Sequence, residues 1–320
     1  MSNKGGIKML DIIGLGEVCI DWIVKVERFP EPDEKIFMKG SGKFPGGVTA
    51  NFVTAFARLG GKAAFIGGVG KDEYGNFIIE TFQKEGVDTA HTVRHEDRST
   101  AVNILLVDKN GERVIVQDPN LRDNVPEPEY FDRKDVQEYI ASSKALHTTA
   151  IKVKTSEKAF KIAKEHGLLT SFDLEKHVAE YGLDQLKPIL KLTDILMPNK
   201  LGIRALTGEE DFEKAARKLM ELGPKIVVIT LGSKGNMVVT ESDVITAPAF
   251  QVKVVDTTGA GDAFNAAFLY SIIVKKWDYQ KASKFANAVA ALKCTKIGAQ
   301  TGLPKLEEVN EFLKNKGVVL

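Results

Sequence analysis

Short apolar runs and helical periodicity alternate along most of this chain. Met9 to Gly14 is an apolar run of strand length. Cys19 to Val26 alternates, with Ile20, Trp22, Val24 and Val26 on one face, as a half-exposed strand does. Phe29-Pro30-Glu31-Pro32-Asp33 breaks that run. After Gly46-Gly47 the period changes: Phe52, Ala55, Phe56 and Leu59 share a helical face, and Gly60-Gly61 ends it. Ala63 to Val69 predicts a buried strand and Gly75 to Glu85 a helix. Ala101 to Val107 and Arg113 to Gln117 flank Asp108-Lys109-Asn110-Gly111, whose Asn-Gly pair predicts a hairpin. Strands are then predicted at Ala145 to Thr149, Leu169 to Asp173, Ile195 to Met197, Lys225 to Thr230 and Met237 to Thr240, with a further apolar strand at Phe250 to Val255. Helices are predicted between and after them, at Ser156 to His166, Leu183 to Leu190, Asp211 to Leu222, Ala260 to Lys275 and Tyr279 to Lys293.

Strand–helix alternation of this kind implies an α/β fold: a largely parallel central sheet with helices on both faces. The early alternating strands and the hairpin stand outside that rhythm and predict a small β lid. No repeat, low-complexity tract or flexible linker divides the chain, so the expectation is one domain over residues 1–320, with lid strands from about 18–42 and 98–118. Its 320 residues bury a large core, and 43% hydrophobic and 27% charged residues are ordinary for a globular protein. A formal net charge of +1 gives no basic field for nucleic acid. Cys19 and Cys294 lie in apolar runs and read as small buried hydrophobes. Met1 to Leu10 lacks a leader pattern and no run of membrane-spanning length occurs, so a cytoplasmic protein without a membrane partner is expected.

The densest chemistry is Asp256-Thr257-Thr258-Gly259-Ala260-Gly261-Asp262-Ala263-Phe264. Two glycines at the start of an apolar helix let backbone amides and the positive end of the helix dipole converge on an anion. Asp262 opposes anion binding and needs another reason to be there; a general base beside a phosphoryl group is one. Gly14-Leu15-Gly16-Glu17-Val18-Cys19 fails as a dinucleotide fingerprint, because Cys19 replaces the third glycine and a strand follows. Gly46-Gly47-Val48-Thr49-Ala50-Asn51 opens a helix and offers Asn51 to hydroxyls, or is a turn with a polar first residue. Thr230-Leu231-Gly232-Ser233-Lys234-Gly235 follows a buried strand, as a ligand crevice or as a tight turn. Asp21, on the lid, reads either as a solvent-facing strand residue or as an acceptor for polyol hydroxyls. The five histidines have no metal-ligand spacing.

The Asp256–Phe264 segment resembles the C-terminal signature of the ribokinase-like, or PfkB, carbohydrate kinases, and Gly46–Asn51 their N-terminal glycine signature. The resemblance implies a three-layer α/β/α sandwich with a β lid and an ATP-dependent kinase acting on a hydroxymethyl group. Asp262 is then the catalytic base, and the amides of Gly259, Ala260 and Gly261 form the anion hole. Asp21, Gly46, Gly47 and Asn51 grip substrate hydroxyls. Asn199, Thr230, Gly232, Gly235 and Asn287 face the nucleotide. The family's monovalent cation, K⁺, would sit by Asp256 and Thr258, between the Asp256–Thr258 and Cys294–Gly302 loops. The family commonly carries N-x-x-E near the phosphates; here Asn199 is followed by Gly202 at the acid's place, so Mg²⁺ would rest on ATP oxygens and water, or on another acid. The implied acceptor is a small sugar or sugar acid. The alternative is a nucleoside, because Gly298–Pro304 and His147–Thr149 resemble nucleoside kinases of the family; Trp22, Phe37 or Phe44 would then stack on the base. A non-catalytic sugar- or nucleotide-binding regulator is a third reading. Exposed lid edges predict a homodimer through the lid.

Overall fold

The computed structural model describes residues 9–320, and most of the leader reading above lies outside them. In chain order the strands are β1 (Ile12–Leu15), β2 (Cys19–Lys25), β3 (Gly40–Gly46), β4 (Ala63–Ile66), β5 (Gly68–Gly70), β6 (Val93–His95) and β7 (Val102–Val107). They continue with β8 (Arg113–Val116), β9 (Ala145–Thr148), β10 (Leu169–Leu174), β11 (Ile195–Pro198), β12 (Ile226–Thr230), β13 (Asn236–Val239) and β14 (Val244–Ala247). Eight of them form one sheet in the order β14-β13-β12-β11-β10-β9-β1-β4, with all pairs parallel except β12–β13 and β13–β14, so that β13 alone runs against the rest.

Both faces of this sheet are covered, which is why its strands read as continuous apolar runs rather than alternating ones. Ile12 packs into the core on one side with Phe52, Phe56, Phe268 and Phe285, while its neighbour Ile13 packs into the other with Phe131, Phe160 and Phe172. The same alternation separates Met197 from Leu196 and Val228 from Val227. The Ala260–Ile273 helix is buried almost all round, so its apolar residues show no single face.

The lid is a second sheet, β3-β2-β7-β8, in which β2 runs antiparallel to β3 and parallel to β7. Its strand β3 ends at Gly46, four residues past the boundary read from sequence, and ties the lid directly to the Val48–Arg58 helix. Gly-Ser-Gly and Pro45 hide this strand from any propensity reading. Two other expectations are corrected. Ala63 to Val69 is not one strand: β4 pairs with β1, while β5 leaves the sheet to pair with β6. Phe250 to Val255 is not a strand, because β14 already forms the sheet edge; Val255 instead donates its amide to Cys294 O at 2.8 Å, with both Val254 and Val255 more than half exposed.

Candidate active site

The parallel strands end at one rim of the sheet, where open α/β sheets bind ligands. Glu17 follows β1, Glu175 follows β10, Asn199 follows β11 and Thr230 ends β12. The lid stands over this rim, and a cavity of about 480 Å³ lies between them, lined by Asp21, Asn103, Leu105 and Arg113 from the lid and by Asn51 and Asp262 from the body. A second cavity of about 380 Å³ opens beside it, lined by Gly235, Phe250 and Asn287 among others. The two share Thr230, Gly232, Thr257 and Gly261. The Asp256–Asp262 turn therefore sits where the cavities meet.

Two glycines shape the lid side of the first cavity. A side chain at 46 would put its Cβ 2.2 Å from Asp21 Oδ2, so Gly46 leaves the space the carboxylate occupies. Gly47 takes φ +97 and starts the Val48–Arg58 helix, which places Asn51 in the first turn. Asn51 Nδ2 donates to Asp262 Oδ2 at 2.7 Å, joining positions 211 residues apart. Asp21 Oδ1 accepts from Asn103 Nδ2 at 3.2 Å and from Cys19 Sγ at 3.4 Å. Asp21 is thus held in place, not solvated as a plain strand residue would be. Burial raises its pKa above the ordinary value.

On the anion side, Gly259 is the N-cap of the Ala260–Ile273 helix. The Ala260 amide closes the turn on Thr257 O at 3.2 Å, whereas the Gly259 and Gly261 amides take no backbone acceptor among the described residues. Gly259 and Gly261 are therefore the freer donors for an anion at this helix end. Arg113 reaches down from β8 and donates from Nη1 to Thr258 Oγ1 at 2.6 Å, so the lid touches this turn directly.

Carboxylates crowd the site. Asp262 is pushed up to about 8, first by burial and then by the charge of Glu175, with the Asn51 hydrogen bond pulling the other way. Burial, then Glu175 and Asp262, raise Asp173, whose Oδ2 accepts from Asn265 Nδ2 at 2.9 Å. Glu175 is raised by burial and by Glu17. Glu17 Oε2 is fixed by Thr149 Oγ1 at 2.7 Å and Thr49 Oγ1 at 3.2 Å. Beyond burial, each of these carboxylates makes ionisation of its neighbours harder, and Asp173, Glu175 and Asp262 are all raised. Glu17, Asp173 and Glu175 had not been singled out as candidates; the readable signal was two acids, Asp173 and Glu175, at the carboxyl end of a buried strand.

The residues expected on the nucleotide side divide. Thr230, Gly232 and Gly235 border the second cavity. Asn287 lines it too, but its Nδ2 already donates to Asn236 Oδ1, Ala247 O and Pro248 O. Asn199 caps the Lys200–Thr207 helix, accepting at Oδ1 from Leu201 N and Gly202 N. The glycine at 202 has a steric cause: a Cβ there would lie 2.2 Å from Leu174 O. Asp256 and Thr258, expected beside a monovalent cation, bind each other: Asp256 Oδ1 accepts from Thr258 N at 2.9 Å and Thr258 Oγ1 at 2.7 Å. Trp22, Phe37 and Phe44 line neither cavity, and Phe37 is 93% exposed. Among the described residues no helix is long and apolar enough to cross a membrane.

Residues 9–306 match the family described as pfkB family carbohydrate kinase. An uncharacterized sugar kinase of Archaeoglobus fulgidus is 37% identical over 252 residues, covering 78% of this chain and 98% of its own. A ribokinase of Haemophilus influenzae is 32% identical over 306 residues, covering 94% of this chain and 97% of its own. Among solved structures, Arabidopsis thaliana ribokinase complexed with ribose and ATP matches with a TM-score of 0.85 at 25% identity, over 96% of this chain and 99% of its own.

Proposed function

The chain belongs to the pfkB family of carbohydrate kinases, and from that premise we propose that it moves the γ-phosphoryl group of ATP to a primary hydroxyl of a small sugar or sugar acid, with Asp262 taking the hydroxyl proton. ATP-dependent sugar phosphorylation comes with the family; the proposal assigns residues to it and an acceptor class. The observation that carries the reading is the 2.7 Å bond from Asn51 to Asp262. It joins the hydroxyl-gripping side to a base standing at a helix N-terminus, where the phosphoryl group would be held.

The sugar occupies the lid-side cavity, with Asp21 and Asn103 accepting from and donating to its hydroxyls. ATP lies in the second cavity, its phosphates turned towards the Gly259 and Gly261 amides. Asp262 orients and deprotonates the acceptor hydroxyl as its oxygen attacks phosphorus and the bond to the ADP oxygen breaks. The amides and the helix dipole stabilise charge on the equatorial phosphoryl oxygens. Mg²⁺ carried on ATP would neutralise phosphate charge there, facing Glu175 and Asn199; no group of three His, Cys, Asp or Glu among the described residues forms a metal site by itself. The lid keeps water from the phosphoryl group, and Arg113 latches it to Thr258.

A sugar is favoured over a nucleoside because the lid-side cavity has no Phe, Tyr or Trp among its lining, His177 being its one ring, while Asp21 and Asn103 offer polar partners. A second copy of the chain is the proposed lid partner. The test is ADP release with ATP and a panel of pentoses, hexoses, keto-acids and nucleosides. A pentose or hexose, free or as its acid, should be turned over best. Preference for nucleosides would overturn the acceptor class, and failure of every compound in the panel to elicit ADP release would favour the regulator reading.

A further inference from the structure

The only fully buried lysine among the described residues is Lys293, its side chain 0% exposed, on the Tyr279–Cys294 helix behind the anion turn. It lines neither of the two cavities. Nζ donates to Asp256 O at 2.8 Å, faces Lys296 O at 3.5 Å and lies 3.8 Å from Asp256 Oδ2. Gly302 packs on the stem: a Cβ at 302 would stand 3.1 Å from Lys293 Cε. The same carboxylate takes Gly298 N at 2.8 Å through Oδ2, so one charge holds the Asp256–Thr258 turn and the Cys294–Gly302 loop together. Burying an ammonium is costly, and this one is satisfied by carbonyl and carboxylate oxygens from two separate segments.

These are the two loops between which K⁺ was expected from the resemblance. They do not fit the ion. An ammonium and a potassium ion are close in size and take the same oxygen donors, and here the oxygens already surround a charge belonging to the chain. The geometry points to Lys293 as a tethered internal cation: it occupies the place of an activating monovalent cation, sets the Asp256 turn that leads into the Gly259 and Gly261 amides, and makes the protein independent of K⁺. Lys293 is a positioning residue, acting through Asp256 and not on the substrate.

The activity arm of the test rests on the kinase reading; the stability arm does not. Wild type and Lys293→Ala are compared with K⁺, NH₄⁺ or tetramethylammonium as counterion at constant ionic strength. For wild type, replacing K⁺ by tetramethylammonium should change the rate by less than about 2-fold and leave Tm unmoved. Lys293→Ala should lose activity in tetramethylammonium, recover at least ~10-fold in K⁺ or NH₄⁺, and gain Tm saturably with those ions alone. Loss of wild-type activity on removing K⁺, or a Tm of wild type that climbs saturably with K⁺ as a bound ion requires, overturns the inference. So does a folded Lys293→Ala that ignores K⁺ in both readouts. If Lys293→Ala does not fold, Lys293→Met, which keeps the stem, enters the same comparison and the wild-type arm stands alone. If no acceptor is phosphorylated under any condition, the kinase reading fails while the Tm series still decides the role of Lys293.

Discussion

As the proposed base, Asp262 meets two opposing demands: a base must be able to accept a proton, and a buried carboxylate beside Glu175 is reluctant to be charged. Held at about 8 it is mostly protonated at neutral pH, so kcat/KM should rise about tenfold per pH unit on the acid side and level off near 8. Asn51 stabilises the ionised form; Asn51→Leu should move that limb to higher pH, and an unmoved limb would detach Asn51 from the base. Asp262→Asn should lower kcat by at least roughly 10²-fold with little effect on ATP affinity, and near-normal turnover would remove Asp262 as the base. The same shift carries a stability signature. The folded pKa is raised from 3.8, so the protonated group's contribution to stability is complete below about pH 4, declines through the window and is gone above about 8. Thermal melts of Asp262→Asn should therefore gain on wild type between those limits and hold a constant lead beyond. Asp21→Ala should raise acceptor KM far more than it lowers kcat, and an unchanged KM would take Asp21 off the sugar. Residues within the two signatures were legible because turn, glycine and acid occur together. Lys293 was legible in principle: Ala282, Ala286, Val289 and Lys293 follow one helical face, and a charge on a buried face asks for a partner. The partner itself, Asp256, is 37 positions away, and periodicity says nothing of contacts at that range.

Elements were readable where a period ran long enough to count. The Val48–Arg58 and Ala260–Ile273 helices and the buried strands of the sheet lie within a few residues of their expected ends. One error comes from reading an apolar pattern as strand pairing: Val255, at the end of Phe250 to Val255, gives its amide to Cys294 O in place of a neighbouring strand. β3 fails in the opposite sense, a strand made by its neighbour β2 and not by its own Gly- and Pro-rich sequence. The β7–β8 hairpin was read correctly, but not that Arg113, its first β8 residue, reaches the anion turn. That contact predicts an element-scale effect. Without the latch, Arg113→Ala should leave the lid open more of the time, raising acceptor KM and increasing ATP hydrolysis relative to sugar phosphorylation. A coupled assay that counts ADP and sugar phosphate separately checks it; a one-to-one ratio in the variant would show that the latch does not exclude water.

The two faces of the lid have different chemistry, and this difference bears on the whole molecule. One face carries Asp21 beside Asn103 and a row of Ile23, Leu105 and Ile115 over the cavity. Strand alternation puts Trp22, Ile104 and Val116 in one cross-strand row on the other face, and Val24, Leu106 and Val114 in the next. Ile104, Val114 and Val116 are 38%, 44% and 57% exposed, and the lid is bounded by two open edges, β3 and β8. An apolar sheet face with unpaired edges is a surface that proteins cover. A second copy of the chain covers it in our reading, lid against lid, which would also hold each lid's inner face at a fixed distance from its own Asp262. Light scattering should then report twice the 35.1 kDa of one chain. Val116→Lys, placed on the outer face away from both cavities, should yield a folded monomer whose acceptor KM rises while ATP binding in the second cavity stays as it was. A wild type of 35.1 kDa at every concentration tested would show that no second copy covers the lid's outer face.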